Sequence, residues 1–285
     1  MSTVDTPDAG RRRTGTHPER TATARSVANT KVWPASVGLM RRSLVNITRL
    51  PSAFIPSIAM PIFQTIAFAG TFFAIIQIPG FPTDRSINWF LPLGVIMGCG
   101  FAGIGIGFAT ISDLEGGFYD RIRLTPAPRM SMITGPLLAA LSRAAIVITV
   151  VVIVGTLFGA RLTHGPLGLI PLYIAGLGIA TIGTGWGLGL AYRFRDMRAA
   201  AIMQLTFFLL IFLTEAQTPL SIMEGWLEVV ARVNPFNNII RLARLGFVDQ
   251  PMTWGNAWGG LLAIAVISGL VLWFARRGLE RLSET

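Results

Sequence analysis

The chain has 285 residues, 52% of them hydrophobic and only 13% charged, against roughly a quarter charged in an ordinary soluble domain. That balance excludes a soluble globular fold. The formal charge of +10 would point to nucleic acid in a soluble chain, but in an apolar one basic loops set membrane orientation, and no nucleic-acid partner is expected.

Residues 1–31, including RRRTGTHPER, are rich in Arg, Thr, Pro and Asp and hold no apolar stretch ahead of a cleavage site. They are expected to be a disordered cytoplasmic tail without a signal peptide. The next segment, PASVGLMRRSLVNITRL at 34–50, places Val37, Met40, Leu44 and Ile47 at helical spacing, with Arg41 and Arg42 on other faces. The pattern predicts an amphipathic helix lying in the cytoplasmic interface, separated from the first span by Pro51.

Six apolar runs follow, at about 52–76, 88–111, 135–158, 167–191, 199–216 and 256–274. Each approaches the roughly 20 residues that an α-helix needs to cross a ~30 Å hydrocarbon layer. The predicted fold is therefore an all-α polytopic membrane protein, with its transmembrane domain at 32–285. Basic residues are asymmetric between the two sides: eighteen fall before the first run, in 112–132, in 192–198 and after the last run, and five in the alternate connections. Both termini are thus expected in the cytoplasm.

Between the second and third runs lies SDLEGGFYDRIRLTPAPR, residues 112–129. Leu114, Phe118 and Ile122 are spaced by four and form an apolar stripe, and Asp120 can pair with Arg123. Ser112 and Glu115 match a capping box, while Gly116 and Gly117 interrupt the pattern and Pro126 and Pro128 end it. So short a helix is marginal in water, and docking against a cytoplasmic partner would order it.

The long connection 217–255 is too polar for a span and too apolar for a free loop. Trp226, Leu227, Val230, Ile239 and Ile240 predict short helices, broken near Asn234-Pro235 and partly sunk in the outer leaflet. Trp226 is expected to sit at an apolar interface.

The glycines do not mark a nucleotide site. Gly98, Gly100 and Gly103 match G-x-G-x-x-G inside an apolar run, not between a strand and a helix. Pairs four apart, Gly94/Gly98, Gly103/Gly107, Gly183/Gly187 and Gly185/Gly189, instead predict close helix packing, within or between chains. The lone Cys99 excludes an internal disulfide. No His, Asp or Glu falls at mid-depth of a run, as an ion relay would require. Arg143, the one charge inside a run, reads as a snorkelling side chain or as half of a buried pair, and Glu215 closes the fifth run. Catalytic motifs such as H-E-x-x-H, G-x-S-x-G and G-x-x-x-x-G-K-[ST] are absent from the sequence, so energy for active transport would come from another polypeptide.

DLEGGFYDRIRLTPAPR resembles the segment between the second and third spans of ABC-2 type transporter permeases, particularly the daunorubicin/doxorubicin-resistance type. TPLSIMEGWLEVVARVNPFNNIIRLAR, with Pro219, Trp226, Leu227, Asn234, Pro235 and Arg241, is similar to that family's late signature. The resemblance implies the ABC-2, type V exporter fold, with short re-entrant-like outer helices between spans five and six. It also implies a permease subunit in a bacterial cytoplasmic membrane, without an ATPase site of its own. Soluble ABC ATPases carrying ATP and Mg, a second identical or paralogous permease chain and membrane lipid are the implied partners. By position, Asp113, Leu114, Glu115, Gly116, Phe118, Asp120, Arg121, Ile122, Arg123 and Pro126 would form the ATPase-coupling loop. The implied cargo is a hydrophobic or amphipathic molecule such as a drug, antibiotic or lipid. A polysaccharide exporter, a passive channel and a structural scaffold remain alternatives.

Overall fold

The computed structural model describes residues 32–49, 51–125 and 128–282, and the side chains among them except those of 46–49, 51–54, 56 and 123. The expected tail at 1–31, Pro126, and the side chains of Ile47 and Arg123 lie outside this description.

Ten α-helices occupy the described residues: α1 Val32–Arg49, α2 Pro51–Thr71, α3 Ser86–Glu115, α4 Phe118–Arg123, α5 Ser131–Leu157, α6 Leu169–Phe194, α7 Arg198–Phe212, α8 Trp226–Val233, α9 Pro235–Arg244 and α10 Trp254–Leu282. Short 3₁₀ turns interrupt the connections at Phe73–Gln77, Gly165–Gly168 and Leu220–Ile222. Four helices are long and apolar enough to cross a membrane: Ser86–Glu115, Ser131–Leu157, Gly165–Phe194 with its leading turn, and Trp254–Leu282. The apolar helices at 57–71 and Arg198–Phe212 are shorter. The fifth run, predicted to 216, stops being helical at Phe212.

The bundle is built around α3, which is buried almost without interruption from Ser86 to Gly100. Its main partner is α6, which runs in the same direction, and glycines let the two backbones come close together. A Cβ on Gly103 would stand 2.5 Å from the Ala180 carbonyl oxygen, and one on Gly107 only 2.7 Å from the Gly187 Cα. Gly94 and Gly98 face Thr65 and Pro61 of α2, while Gly185 and Gly189 face Val271 and Phe274 of α10. The predicted glycine seams therefore all pack within the chain. In a bilayer, where helices gain no hydrophobic driving force from one another, such close backbone approach is a main source of association.

Helix α1 begins two residues earlier than predicted, and its packed face is rotated from the predicted one. Ser36 Oγ meets Thr134 Oγ1, Leu39 lies over Gly135, Met40 Sδ receives the Ser142 hydroxyl at 3.8 Å, and the Ser43 oxygens meet Arg143. The face against α5 thus alternates the serines Ser36 and Ser43 with Leu39 and Met40, and shares Met40 with the Val37, Met40 and Leu44 stripe. Sequence hydrophobicity misses its polar half because Ser36 and Ser43 carry no apolar signal.

Connections gather at the two ends of the bundle. At one end Asn88 of α3 ties two of them: its Nδ2 donates to the Arg161 and Phe247 carbonyls, both at 3.0 Å, and its Oδ1 accepts from Arg161 N at 2.9 Å. A fully bonded buried amide of this kind fixes geometry without an unpaired polar group. This end also carries α8 and α9. The opposite end carries α4, the C-terminus of α6, and Leu279 and Leu282 of α10.

Candidate coupling site

Helix α3 continues through Ser112 to Glu115, so the predicted capping box does not start a helix. Ser112 Oγ instead donates back to the Phe108 carbonyl at 3.3 Å. The turn comes at Gly116-Gly117, where Gly117 adopts φ 67°, a left-handed conformation that glycine takes without a Cβ penalty. From there α4 folds back beneath the bundle.

Three anchors hold α4 in place. Tyr119 is buried, with its hydroxyl 3.2 Å from that of Tyr192, and the Tyr192 hydroxyl donates to the Met132 carbonyl at 2.8 Å. Burial pushes the Tyr119 hydroxyl above its usual pKa, so it stays a neutral hydrogen-bonding group. Second, Arg42 of α1 makes a two-point bond to Asp113, at 2.8 and 2.7 Å, and lies over the Phe118 ring at 3.7 Å. The hydrogen bonds to Asp113 hold this guanidinium above its usual pKa, outweighing the opposing effect of burial. Third, Leu114, Phe118 and Ile122 pack on the chain's own cluster of Ile106, Met132, Ile133, Leu188 and Tyr192.

The predicted stripe therefore exists, but it faces inward. Phe118 and Ile122, expected to enter a groove on a partner, are half-buried in this chain. The face left outward is polar: Glu115, Gly116, Asp120 and Arg121 are exposed, and Leu124 is 88% exposed. Arg121 caps the turn by donating to the Gly116 and Gly117 carbonyls at 3.1 and 3.3 Å. Tyr119 and Tyr192 were invisible as a pair from sequence, because 73 positions separate them.

Beside this assembly, α1, α3, α4 and α5 enclose a cavity of about 470 Å³. Arg143, half-buried, lies in its wall, and among the described residues it forms no ion pair. One of its terminal nitrogens donates to Ser43 O at 3.0 Å and Ser43 Oγ at 2.9 Å, while its buried Nε has no partner among the described residues.

At the other end, α8 and α9 break at Asn234 as predicted. Asn234 Oδ1 accepts from Phe236 N at 3.0 Å, and its Nδ2 donates to the Leu210 and Leu213 carbonyls at 2.7 and 2.9 Å. The side chain thereby starts α9 and satisfies the end of α7. Glu215, buried, takes Arg241 at 2.7 and 3.1 Å. Arg244, only 2% exposed, donates to the carbonyls of Glu215 at 2.8 Å, of Trp89 at 3.3 Å and of Ala216, and stacks on the Trp89 ring at 3.5 Å. Pro219 is buried and Leu227 half-buried. Trp226, however, is 71% exposed on the chain surface, with Val229 and Val233 beside it, so the packed part is α9 and not the start of α8. A second cavity of about 580 Å³ opens here between Trp89, Glu215, Arg241 and Trp258.

Among the described residues no group of three or more His, Cys, Asp or Glu could hold a metal ion. The assembly is a short helix with an exposed polar face, tied through Tyr119 and Tyr192 to the helices that form the bundle.

Known proteins share this sequence pattern. The daunorubicin resistance ABC transporter permease protein DrrB1 of Streptomyces coeruleorubidus is 24% identical over 282 residues, covering 95% of this chain and 92% of that protein. The putative transport permease ycf38 of Pyropia yezoensis is 28% identical over 244 residues, 81% of this chain and 82% of the relative. Its counterpart in Porphyra purpurea is 24% identical over 247 residues, with 82% of each chain covered. Residues 36–248, which hold α4 and α9 alike, match the ABC-2 type transporter family, and the chain belongs to that family of membrane proteins.

Proposed function

We propose that the chain is the membrane subunit of an ATP-driven exporter, moving a hydrophobic or amphipathic molecule out of a bacterial cell. A separate ATPase, which holds ATP and Mg, docks on the exposed face of the α3–α4 turn, and a second permease chain completes the pathway. The observation that carries this reading is the construction of α4: Asp120, Arg121 and Leu124 stand outward while Tyr119 is bonded to Tyr192 of α6. A push on the outer face reaches the central helices through that tether. Such a rigid-body transfer needs no catalytic group in the chain.

In this reading the four long helices, α2 and α7 make six crossings. Helix α7 alone falls short of ~30 Å at 1.5 Å per residue. The backbone from Leu213 to Ala216 completes its crossing, because Asn234 and Arg244 satisfy its carbonyls and Asn237 Oδ1 accepts from Glu215 N at 2.9 Å. Both termini and α4 then face the cytoplasm, as the basic residues favour.

The direct test is co-purification in mild detergent from the native membrane. A soluble chain carrying G-x-x-x-x-G-K-[ST] should travel with this one. Its reproducible absence would favour a channel or scaffold. Orientation is tested by cysteine labelling in whole cells, after replacement of the buried Cys99. Leu124→Cys and Met197→Cys should be shielded from a membrane-impermeant thiol reagent, whereas Val233→Cys should react. Labelling of Leu124→Cys from outside reverses the topology.

A further inference from the structure

We propose that the cavity between α1, α3, α4 and α5 receives the anionic head of an amphiphilic cargo, a phosphate or carboxylate on an apolar body. The assignment rests on the exporter reading for the word cargo and on the cavity itself for the chemistry. Its volume of about 470 Å³ falls within the roughly 300–1,000 Å³ of small-molecule sites.

The walls divide by chemistry. Phe101, Ala102, Ile106 and Phe108 of α3 supply an apolar side, and Arg143 and Arg42 supply the charged one. Arg42 is neutralised by its two-point bond to Asp113. Arg143 has no such partner: among the described residues no carboxylate lies within ion-pairing distance of it, and its two hydrogen bonds both go to Ser43. Its buried Nε is left with nothing to donate to.

An unpaired buried guanidinium donor is costly, and a planar fork of N–H groups matches a carboxylate or phosphate at two points. A cationic head would meet one uncompensated positive charge here, and a neutral one would leave that charge unanswered. The cavity at the opposite end repeats the sign, with Arg241 and Arg244 against the single carboxylate of Glu215. Both mouths of the bundle thus favour negative charge, while the α3 face between them offers no charge of its own. A head held at Arg143 shares its cavity with Phe118 and Tyr119. Loading and the seat of α4 are therefore contiguous.

The test uses the purified full chain in a neutral maltoside detergent, with radiolabelled dodecyl phosphate followed by equilibrium dialysis. Dodecyl phosphate should bind in preference to dodecyltrimethylammonium, and inorganic phosphate alone should not displace it. Arg143→Gln should weaken binding roughly tenfold to a hundredfold, as loss of a charge-assisted pair implies. Arg143→Lys should lie between, and Arg281→Gln, on the exposed end of α10, should change nothing. Equal binding of the two dodecyl compounds, or an Arg143→Gln variant that binds as the parent does, overturns the assignment. Complete displacement by phosphatidylglycerol nanodiscs at bilayer abundance makes the cavity a lipid seat and overturns it as a cargo site. If Arg143→Gln does not assemble, the head-group preference of the parent chain decides alone. The readout needs no ATPase, so failure to co-purify one sinks the exporter reading and leaves this result standing.

Discussion

Arg244→Leu should leave the chain unable to hold its α9 end together, with a loss of roughly 3–5 kcal/mol, the range for removing one member of a buried charged network. The size follows from what Arg244 touches. It is the donor for the Glu215 and Ala216 carbonyls, which lie where α7 has already ended, and it reaches the Trp89 carbonyl while stacking on that ring. Removing it strands buried acceptors at about 1–3 kcal/mol each. Leucine offers apolar volume but no donor, so repacking cannot restore the loss. Lysine places one compact charge where a fork served three carbonyls, and Arg244→Lys should fall between parent and leucine variant. Fluorescence-detected size exclusion after heating measures the effect. Arg241→Leu, on a half-exposed residue whose hydrogen bonds among the described residues go to the Glu215 carboxylate, should lose less. If Arg244→Leu survives heating as the parent does, the network is ornamental and the non-helical backbone after α7 is held by something else.

The contrast between α7 and its neighbours shows what a sequence can reveal. Apolar runs place the long helices to within a few residues at most ends, because length and hydrophobicity set where helices can form. The C-terminal helix escapes this rule: it continues to Leu282 through Arg276, Arg277 and Arg281, well past the last apolar residue of the run. Asn234-Pro235 was legible as a break, since proline at the first helical turn and asparagine before it have local causes. The partners of those residues were not. Glu215 with Arg241 and Arg143 with Ser43 are joined across 26 and 100 positions, and no spacing rule reaches that far. Hydrophobic pattern also left direction open. It placed Trp226 at an apolar interface, and the chain itself leaves that side chain exposed; it turned Phe118 and Ile122 toward a partner, and in the chain they lie half-buried on their own bundle. A stripe tells that a face is covered, not by whom.

That last difference decides how docking should respond to mutation. With Phe118 and Ile122 occupied by the chain itself, the outward face of α4 would do the recognising in the proposed docking. Asp120→Lys combined with Arg121→Glu reverses its charges and should set like against like at the contact, where such juxtaposition costs several kcal/mol. ATPase retention in detergent should fall on the order of a hundredfold, while the heat stability of the permease drops only slightly, because both side chains are exposed and the loss is the Arg121 cap on the Gly116-Gly117 turn. Leu124→Glu, on a residue that packs against nothing in the chain interior, should act in the same direction. Phe118→Ala with Ile122→Ala should do the opposite: it empties part of the cluster around Met132 and Tyr192 and lowers the heat stability of the chain before docking is measured. Tyr119→Phe keeps the ring and loses the bond to Tyr192, so the ATPase should still bind, but transport per ATP hydrolysed should drop. Were the charge reversal to leave the ATPase bound while the Phe118/Ile122 variant loses it at unchanged stability, the two apolar side chains swing outward in the complex. The tyrosine tether would then be the only fixed part of the lever.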